Sequence, residues 1–115
     1  MSDAELTVTL DGPVATVVIH NPARRNAMTP AMWRQLPVLL DGLEADPAVR
    51  VLVLTGAGGT FCAGADLGDL DELLAAGDGS IAVAAEERLA AFGRPTVAAI
   101  EGACVGGGCQ LAVAC

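Results

Sequence analysis

Two short apolar segments each run directly into a glycine-rich turn and then into a helical stretch, and this repeated order constrains the fold most. The segment at 49–55, VRVLVLT, is a continuous apolar run, which is typical of a parallel strand covered on both faces. It is followed by the turn GAGGT at 56–60. The segment at 96–100 precedes the triple glycine at 106–108, which is predicted to open a helix. Strands alternating with helices in this way predict an α/β fold.

The remaining segments fit the same fold class. The predicted elements are strands at 5–10 and 14–20 joined in a hairpin by a turn at 11–13, a helix up to about residue 44, and a helix at 80–92. Thr29 and Pro30 are typical of an N-cap and a first helical position, so the first helix is predicted to begin there. The pattern of the second helix places Glu86, Glu87 and Arg88 on its solvent side.

The chain of 115 residues has the length of one small domain. It stops at Cys115 inside the helix that the triple glycine is predicted to open, without a capping residue. We therefore interpret residues 1–115 as the N-terminal part of a single domain that ends in the middle of a helix.

The charge balance excludes several classes of protein. Six basic residues, all arginine, stand against 14 acidic residues, so the net charge is -8. No basic stripe is present to follow nucleic acid phosphates or an anionic membrane surface. The absence of lysine excludes Schiff-base chemistry and the Walker-type phosphate loop, and a single histidine, His20, cannot form a multi-histidine metal site.

The N-terminus and the cysteines indicate a cytoplasmic protein. The segment MSDAELTVTL is acidic and lacks the features of a secretory signal. No apolar run approaches the ~18 residues that a membrane span requires. The four cysteines form no C-x-x-C pair and are predicted to be reduced, buried apolar residues.

The two glycine turns are the candidate chemical sites. A turn that leads into a helix presents free backbone N–H groups, and the helix dipole adds positive potential there. Two such turns could direct two N–H groups at one oxygen, which is the requirement of an oxyanion hole. Neither turn matches the G-x-G-x-x-G dinucleotide fingerprint, because Phe61 and Leu111 stand where the third glycine belongs.

Purely structural roles for these residues are alternatives to the functional interpretations. Glycine turns are also typical of tight backbone packing, and Asp66 could simply stabilise the first turn of a helix. The acidic residues Asp66, Asp69, Asp71 and Glu72 lack the spacing of a calcium loop and are interpreted as a solvated helix face. Cys62 has no nearby basic partner to activate it as a nucleophile.

Three segments in order along the chain resemble the enoyl-CoA hydratase/isomerase (crotonase) family. They are NPARRNAMT at 21–29, VRVLVLTGAGGTFCAGADL at 49–67 and RPTVAAIEGACVGGGCQLAVAC at 94–115. The resemblance implies an α/β, crotonase-like (ClpP/crotonase) spiral of repeated ββα units, incomplete at the C-terminus. It also implies an acyl-CoA thioester substrate, with coenzyme A as part of the substrate, no separate cofactor or metal, and assembly as a homotrimer or homohexamer.

The resemblance also implies site residues. The two N–H donors that bind the thioester oxygen would be Ala65 and Gly107. The substrate-binding residues would be Arg24, Ala63, Ala65, Asp66, Leu67, Gly68 and Gly107. The backbone near Arg24 would meet the coenzyme A moiety, and the Arg24 or Arg25 side chain its phosphates.

Gln110 departs from the family pattern. Hydratases of the family usually carry a glutamate there, and an amide cannot act as a general base, although it can hold a water molecule. A second family glutamate would lie beyond Cys115. We therefore treat Gln110 as a catalytic-site residue, and three functions stay open. They are enoyl-CoA hydration, a sibling reaction such as isomerisation, and non-catalytic binding of coenzyme A esters.

Overall fold

In the computed structural model of the chain, residues 4–64 and 80–115 are described. Their elements are β1 (Glu5–Asp11), β2 (Val14–His20), α1 (Pro30–Ala45), β3 (Val51–Gly56), α2 (Ser80–Ala90), β4 (Thr96–Ala99) and α3 (Gly107–Ala114). Short 3-10 turns lie at Pro22–Arg24 and Ala57–Gly59. The helical stretch that the sequence predicts after the first glycine turn, from Leu67 to about Gly77, lies outside the described residues. Among the residues that are described, no helix is both long enough and apolar enough to cross a bilayer.

The strands form one sheet in the order β1-β2-β3-β4. β1 and β2 are antiparallel, which confirms the predicted hairpin, and Gly12 in their turn has a φ of 57°. β2 and β3 are parallel, as are β3 and β4. A parallel pair cannot be joined by a tight turn, so each crossover contains a helix. This arrangement confirms the predicted α/β class.

Helix α1 begins where its sequence predicts. The Thr29 hydroxyl accepts a hydrogen bond from the Met32 N–H at 3.2 Å, and Pro30 occupies the first helical position. At the other end, the Arg94 guanidinium donates to the carbonyls of Leu43 and Asp46 at 3.1 and 3.0 Å. A cation at the C-terminal end also complements the helix dipole.

The helices cover one face of the sheet. Leu52 and Leu54 of β3 are buried on this face, whereas Val51 and Val53 on the opposite face are only half-buried. The prediction that β3 is covered on both faces is therefore wrong for the described residues, because α1, α2 and α3 pack into a single core on one side. The largest fully buried side chains of this core are Trp33, Phe61, Ile19, Met28, Met32, Leu36, Leu40, Leu52, Leu54, Leu89, Leu111 and Val17.

An ion-pair network joins α2 to α1. Arg88 pairs with Asp41 at 2.8 Å and with Glu44 at 3.1 Å. A hydrogen bond from the Gly93 N–H, with a smaller contribution from Arg88, lowers the pKa of the Glu44 carboxyl. Since Arg88 is turned toward α1, it is half-buried, and so is Glu86. The prediction of a solvent side is therefore correct only for Glu87, which is exposed.

The cysteines differ in their surroundings. Cys62 is buried, Cys104 and Cys115 are half-buried, and Cys109 is exposed. The prediction of buried apolar cysteines is therefore correct for Cys62 alone. All four are free thiols.

Candidate active site

Three connecting segments meet at one edge of the sheet. Because β2, β3 and β4 are parallel neighbours, their carboxyl ends lie at the same edge. The segments that leave those ends are residues 21–28, 57–64 and 100–107. Ligands of open α/β sheets bind beyond the carboxyl ends of the strands, so this edge is the place to look for a site.

Asn26 holds the first of these segments against the second. Its side-chain amide donates to the carbonyls of Ala57 and Thr60 at 2.8 and 2.7 Å, and its Oδ1 accepts from the Asn21 N–H at 2.9 Å. Asn26 is only 2% exposed and has a φ of 60°, a left-handed conformation that asparagine tolerates better than most residues. One buried side chain therefore fixes the shape of the β3 glycine turn.

Two backbone bonds extend this connection along the second segment. The Ala63 N–H donates to the Arg25 carbonyl at 3.1 Å, and the Met28 N–H donates to the Gly64 carbonyl at 2.7 Å. The second segment is thus held from one side by residues 25–28.

The third segment pairs with the second from the other side. The Cys62 N–H donates to the Ala103 carbonyl at 2.9 Å, and the Val105 N–H donates to the Cys62 carbonyl at 3.2 Å. These bonds make Cys62 and Cys104 a parallel β-bridge beyond the ends of β3 and β4. The structure therefore brings together the two glycine turns that the sequence singled out.

Gly64 and Gly107 lie next to each other at this junction. Gly64 has a φ of 103°, and a Cβ there would lie 3.0 Å from the Val105 carbonyl oxygen and 3.5 Å from the Gly107 nitrogen. Gly107 is the first residue of α3 and is half-buried. Within residues 4–64 and 80–115, the Gly107 N–H makes no backbone hydrogen bond, as expected of a donor in the first turn of a helix.

Cys62 supports the junction but is a poor nucleophile. Its Sγ accepts a hydrogen bond from the Gly64 N–H at 3.4 Å. Burial raises the pKa of the Cys62 thiol, so the thiol stays protonated at neutral pH. The side chain therefore acts as a packing group beneath the two glycine turns.

The predicted substrate-binding residues fall into two groups. Arg24 is exposed in the 3-10 turn of the first segment, and Ala63 is half-buried in the second segment, where its N–H donates to the Arg25 carbonyl. The other predicted residues, Ala65, Asp66, Leu67 and Gly68, lie outside the described residues. Within the described ranges, no three His, Cys, Asp or Glu side chains are grouped to hold a metal ion.

Gln110 lies on an exposed face of α3. Its backbone N–H donates to the Gly106 carbonyl at 3.0 Å, and its side chain lines a groove of about 460 Å³ between α2 and α3. Glu86 and Glu87 of α2 line the same groove. Gln110 is thus one helical turn from Gly107 and shares the groove with two carboxyl groups from another helix.

Asn21 and Asn26 build the site, although neither was predicted from the sequence as a site residue. Asn21 is 5% exposed, and its amide donates to the Ala27 carbonyl at 2.8 Å. The available signal was the pair of asparagines that bracket the arginines in NPARRNAMT, because asparagine is favoured where a turn needs a left-handed residue and a local side-chain bond.

Replacing Asn26 with aspartate is expected to lower the free energy of unfolding by about 3 kcal/mol, because two part-buried carbonyls lose their donors and face a carboxylate. Chemical denaturation measures the change. Gln35→Glu is the matched control, since it makes the same amide-to-acid change at an exposed position of α1. Equal stability of the two variants would show that Asn26 does not hold the glycine turn.

Comparisons with known proteins agree with this geometry. A family model for enoyl-CoA hydratase/isomerase matches residues 9–115. A solved enoyl-CoA hydratase/isomerase family member has a TM-score of 0.91 and 43% identity, over 97% of this chain and 45% of that chain. The enoyl-CoA hydratase of Bacillus anthracis has a TM-score of 0.88 and 30% identity, over 96% of this chain and 45% of that chain. The predicted crotonase-like fold is confirmed.

A curated relative gives the same result from sequence. The hydroxycinnamoyl-CoA hydratase-lyase of Pseudomonas fluorescens is 36% identical over 116 residues, which cover 94% of this chain and 42% of that protein. The chain spans less than half the length of the curated relatives it matches, for example 44% of one from Thermus thermophilus. The family match nevertheless covers nearly all of this chain. The chain belongs to the enoyl-CoA hydratase/isomerase family.

Proposed function

We propose that the full-length protein is an enoyl-CoA hydratase that adds water across the double bond of a 2-enoyl-CoA thioester. The backbone N–H groups of Ala65 and Gly107 bind the thioester oxygen as it takes on negative charge. The observation that carries the proposal is the contact between the second and third connecting segments, where Gly64 lies against the Gly107 nitrogen. Ala65 follows Gly64 directly in the sequence.

The proposed donors suit an enolate. A thioester that accepts water at C3 passes through an enolate, and its oxygen needs preorganised donors in a site with little water. Gly107 is half-buried and begins α3, so the helix dipole adds to the attraction. Small side chains at both positions leave the N–H groups accessible, because the donor is the backbone.

Coenzyme A enters as part of the substrate, and the proposal requires no separate cofactor. Arg24 is exposed at the rim of the junction, and a guanidinium binds phosphate groups through paired hydrogen bonds. Ala63 and residues 65–68 would line the pocket next to the thioester.

We propose assembly as a trimer or hexamer, which sedimentation of the full-length protein measures.

The amide of Gln110, where the family usually carries a carboxyl group, favours a second candidate function, isomerisation of the acyl double bond. Hydration by two acid–base groups requires a carboxyl group where this chain has an amide, and an amide does not accept a proton at neutral pH. Isomerisation moves one proton between two carbons and requires a single base. Binding of coenzyme A esters without turnover is the third alternative.

Assays of the full-length protein separate these candidates. Crotonyl-CoA reports hydration through loss of its conjugated-enoyl absorbance, and a 3-enoyl-CoA reports isomerisation through gain of the same absorbance. We expect turnover of crotonyl-CoA and saturable binding of butyryl-CoA, which lacks the double bond. Turnover of the 3-enoyl-CoA alone would favour the isomerase. Binding without either turnover would contradict both enzymatic functions.

A further inference from the structure

The groove between α2 and α3 combines an apolar wall with three polar side chains, those of Glu86, Glu87 and Gln110. Ala90 of α2 and Val113 of α3 contribute to the wall. Glu86 enters the groove from α2 and Gln110 from α3. Gln110 on the groove wall lies one helical turn from Gly107, so the groove adjoins the start of α3 where the proposed donor lies.

Glu86 is the unusual residue of this groove. Its Oε1 is buried and, among the described residues, has no hydrogen-bond partner. The cation two positions further along α2, Arg88, is engaged by Asp41 and Glu44 on α1. Burial raises the pKa of the Glu86 carboxyl. A carboxyl group with a buried, unpartnered oxygen lowers the free energy of unfolding unless it is protonated or forms a hydrogen bond to a ligand.

We propose that Glu86 is a catalytic residue whose carboxyl group supplies the proton transfer that Gln110 cannot supply. The inference rests on the proposed function and deepens it. It depends on two observations of the described residues: the shared groove, and the unpartnered oxygen of Glu86. A carboxyl group on α2 thereby replaces one that the family usually carries on α3.

In the proposed reaction, the Glu86 carboxyl group takes a proton from water and then returns it to the substrate. The Gln110 amide oxygen holds a water molecule, whose oxygen bonds to C3 of the enoyl thioester while one of its protons passes to the Glu86 carboxylate. The electron pair of the C2=C3 bond moves to give the enolate, whose oxygen the N–H donors bind. The Glu86 carboxylic acid then gives the proton to C2. One water is consumed, a 3-hydroxyacyl thioester forms, and the Glu86 carboxylate is regenerated.

Substitution of Glu86 in the full-length protein tests this role. Glu86→Gln is expected to lower kcat for crotonyl-CoA by about 10²–10⁴-fold, the usual contribution of general acid–base catalysis. The dissociation constant of butyryl-CoA should stay within about twofold of the parental value, because the carboxylate is not needed to bind the neutral thioester group. Glu5→Gln, which removes an exposed carboxylate from β1, is the control and should retain the parental rate.

Two further measurements distinguish catalysis from structural support. The double variant Glu86→Gln with Gln110→Glu should have a kcat at least tenfold higher than that of Glu86→Gln alone, since it returns a carboxyl group to the same groove. Glu86→Ala should be rescued by added formate, a small carboxylate that can enter the vacated space. The thermal midpoint of Glu86→Gln should rise at neutral pH, because removing the ionisable group removes its burial cost.

The possible outcomes separate the two proposals. Parental turnover in a folded Glu86→Gln variant would overturn the role of Glu86 and leave the hydratase proposal standing. Loss of butyryl-CoA binding together with turnover, or loss of activity without rescue by Gln110→Glu and by formate, would assign Glu86 a structural role and overturn the inference. A parental protein that turns over neither thioester would overturn the proposed function and this inference together.

Discussion

Replacing Gly107 with proline should lower kcat for crotonyl-CoA by about 10²–10³-fold, the usual cost of losing one donor of an oxyanion hole. Proline lacks the N–H group that we propose as the donor. It also suits the first position of a helix, where Gly107 lies, because no intrahelical hydrogen bond is lost there. The substitution therefore removes the donor with little effect on α3.

The residue before Gly107 also permits this substitution. Gly106 has φ and ψ values of 53° and -119°, the mirror image of the extended conformation that residues before proline adopt. Glycine holds this mirror conformation without steric cost. The preceding backbone therefore need not change when proline follows it.

Gly107→Ala is the reference variant, because it adds a Cβ but keeps the N–H. The comparison of proline with alanine isolates the donor from the added side chain. Butyryl-CoA binding and the circular dichroism spectrum of the full-length protein establish that both variants are folded. Equal kcat values for the two folded variants would show that the Gly107 N–H does not stabilise the enolate.

Local signals account for the elements that were predicted correctly. Pro30 and Thr29 define the start of α1 by themselves, and the triple glycine defines the start of α3. The hairpin of β1 and β2 follows from a turn that contains Gly12. In each case the information lies within a few consecutive residues, so no knowledge of the tertiary structure is needed.

The meeting of the two glycine turns was predictable from topology alone. Each turn follows a strand of a parallel sheet, and such turns leave the sheet at the same edge. The bonds that lock the turns together were not predictable, because they depend on register. Nothing in the sequence indicates that Cys62, rather than a neighbour, pairs with Ala103 and Val105.

Asn26 and Glu86 were missed for different physical reasons. The bonds of Asn26 reach residues 31 and 34 positions away, and sequence patterns report no contact over such distances. Glu86 lies beside Glu87 on a helix whose charge pattern indicates solvent. Its Oε1 is nevertheless buried, and charged residues that break a local rule in this way are often functional.

Gly108→Ala should lower the free energy of unfolding by about 3 kcal/mol, since it overpacks a buried contact between two backbone segments. The new Cβ would clash with the Cys62 carbonyl oxygen and would lie 2.9 Å from the Cys62 Cβ. Cys62 cannot move aside freely, because its carbonyl also accepts the Val105 N–H. The start of α3 must therefore shift away from the second segment.

Gly42→Ala provides the matched control for this change. Gly42 is exposed in α1, and a Cβ there meets no atom within 4 Å, so alanine should raise the stability by about 0.5–1 kcal/mol through its better helix propensity. Chemical denaturation and crotonyl-CoA turnover of the full-length protein measure both variants. Because Gly108 adjoins Gly107, its substitution should also displace the proposed donor and reduce turnover, whereas Gly42→Ala should leave the rate unchanged. If the free energy of unfolding rose in both variants, Gly108 would not be in close contact with Cys62. The proposed oxyanion hole would then lose its structural basis.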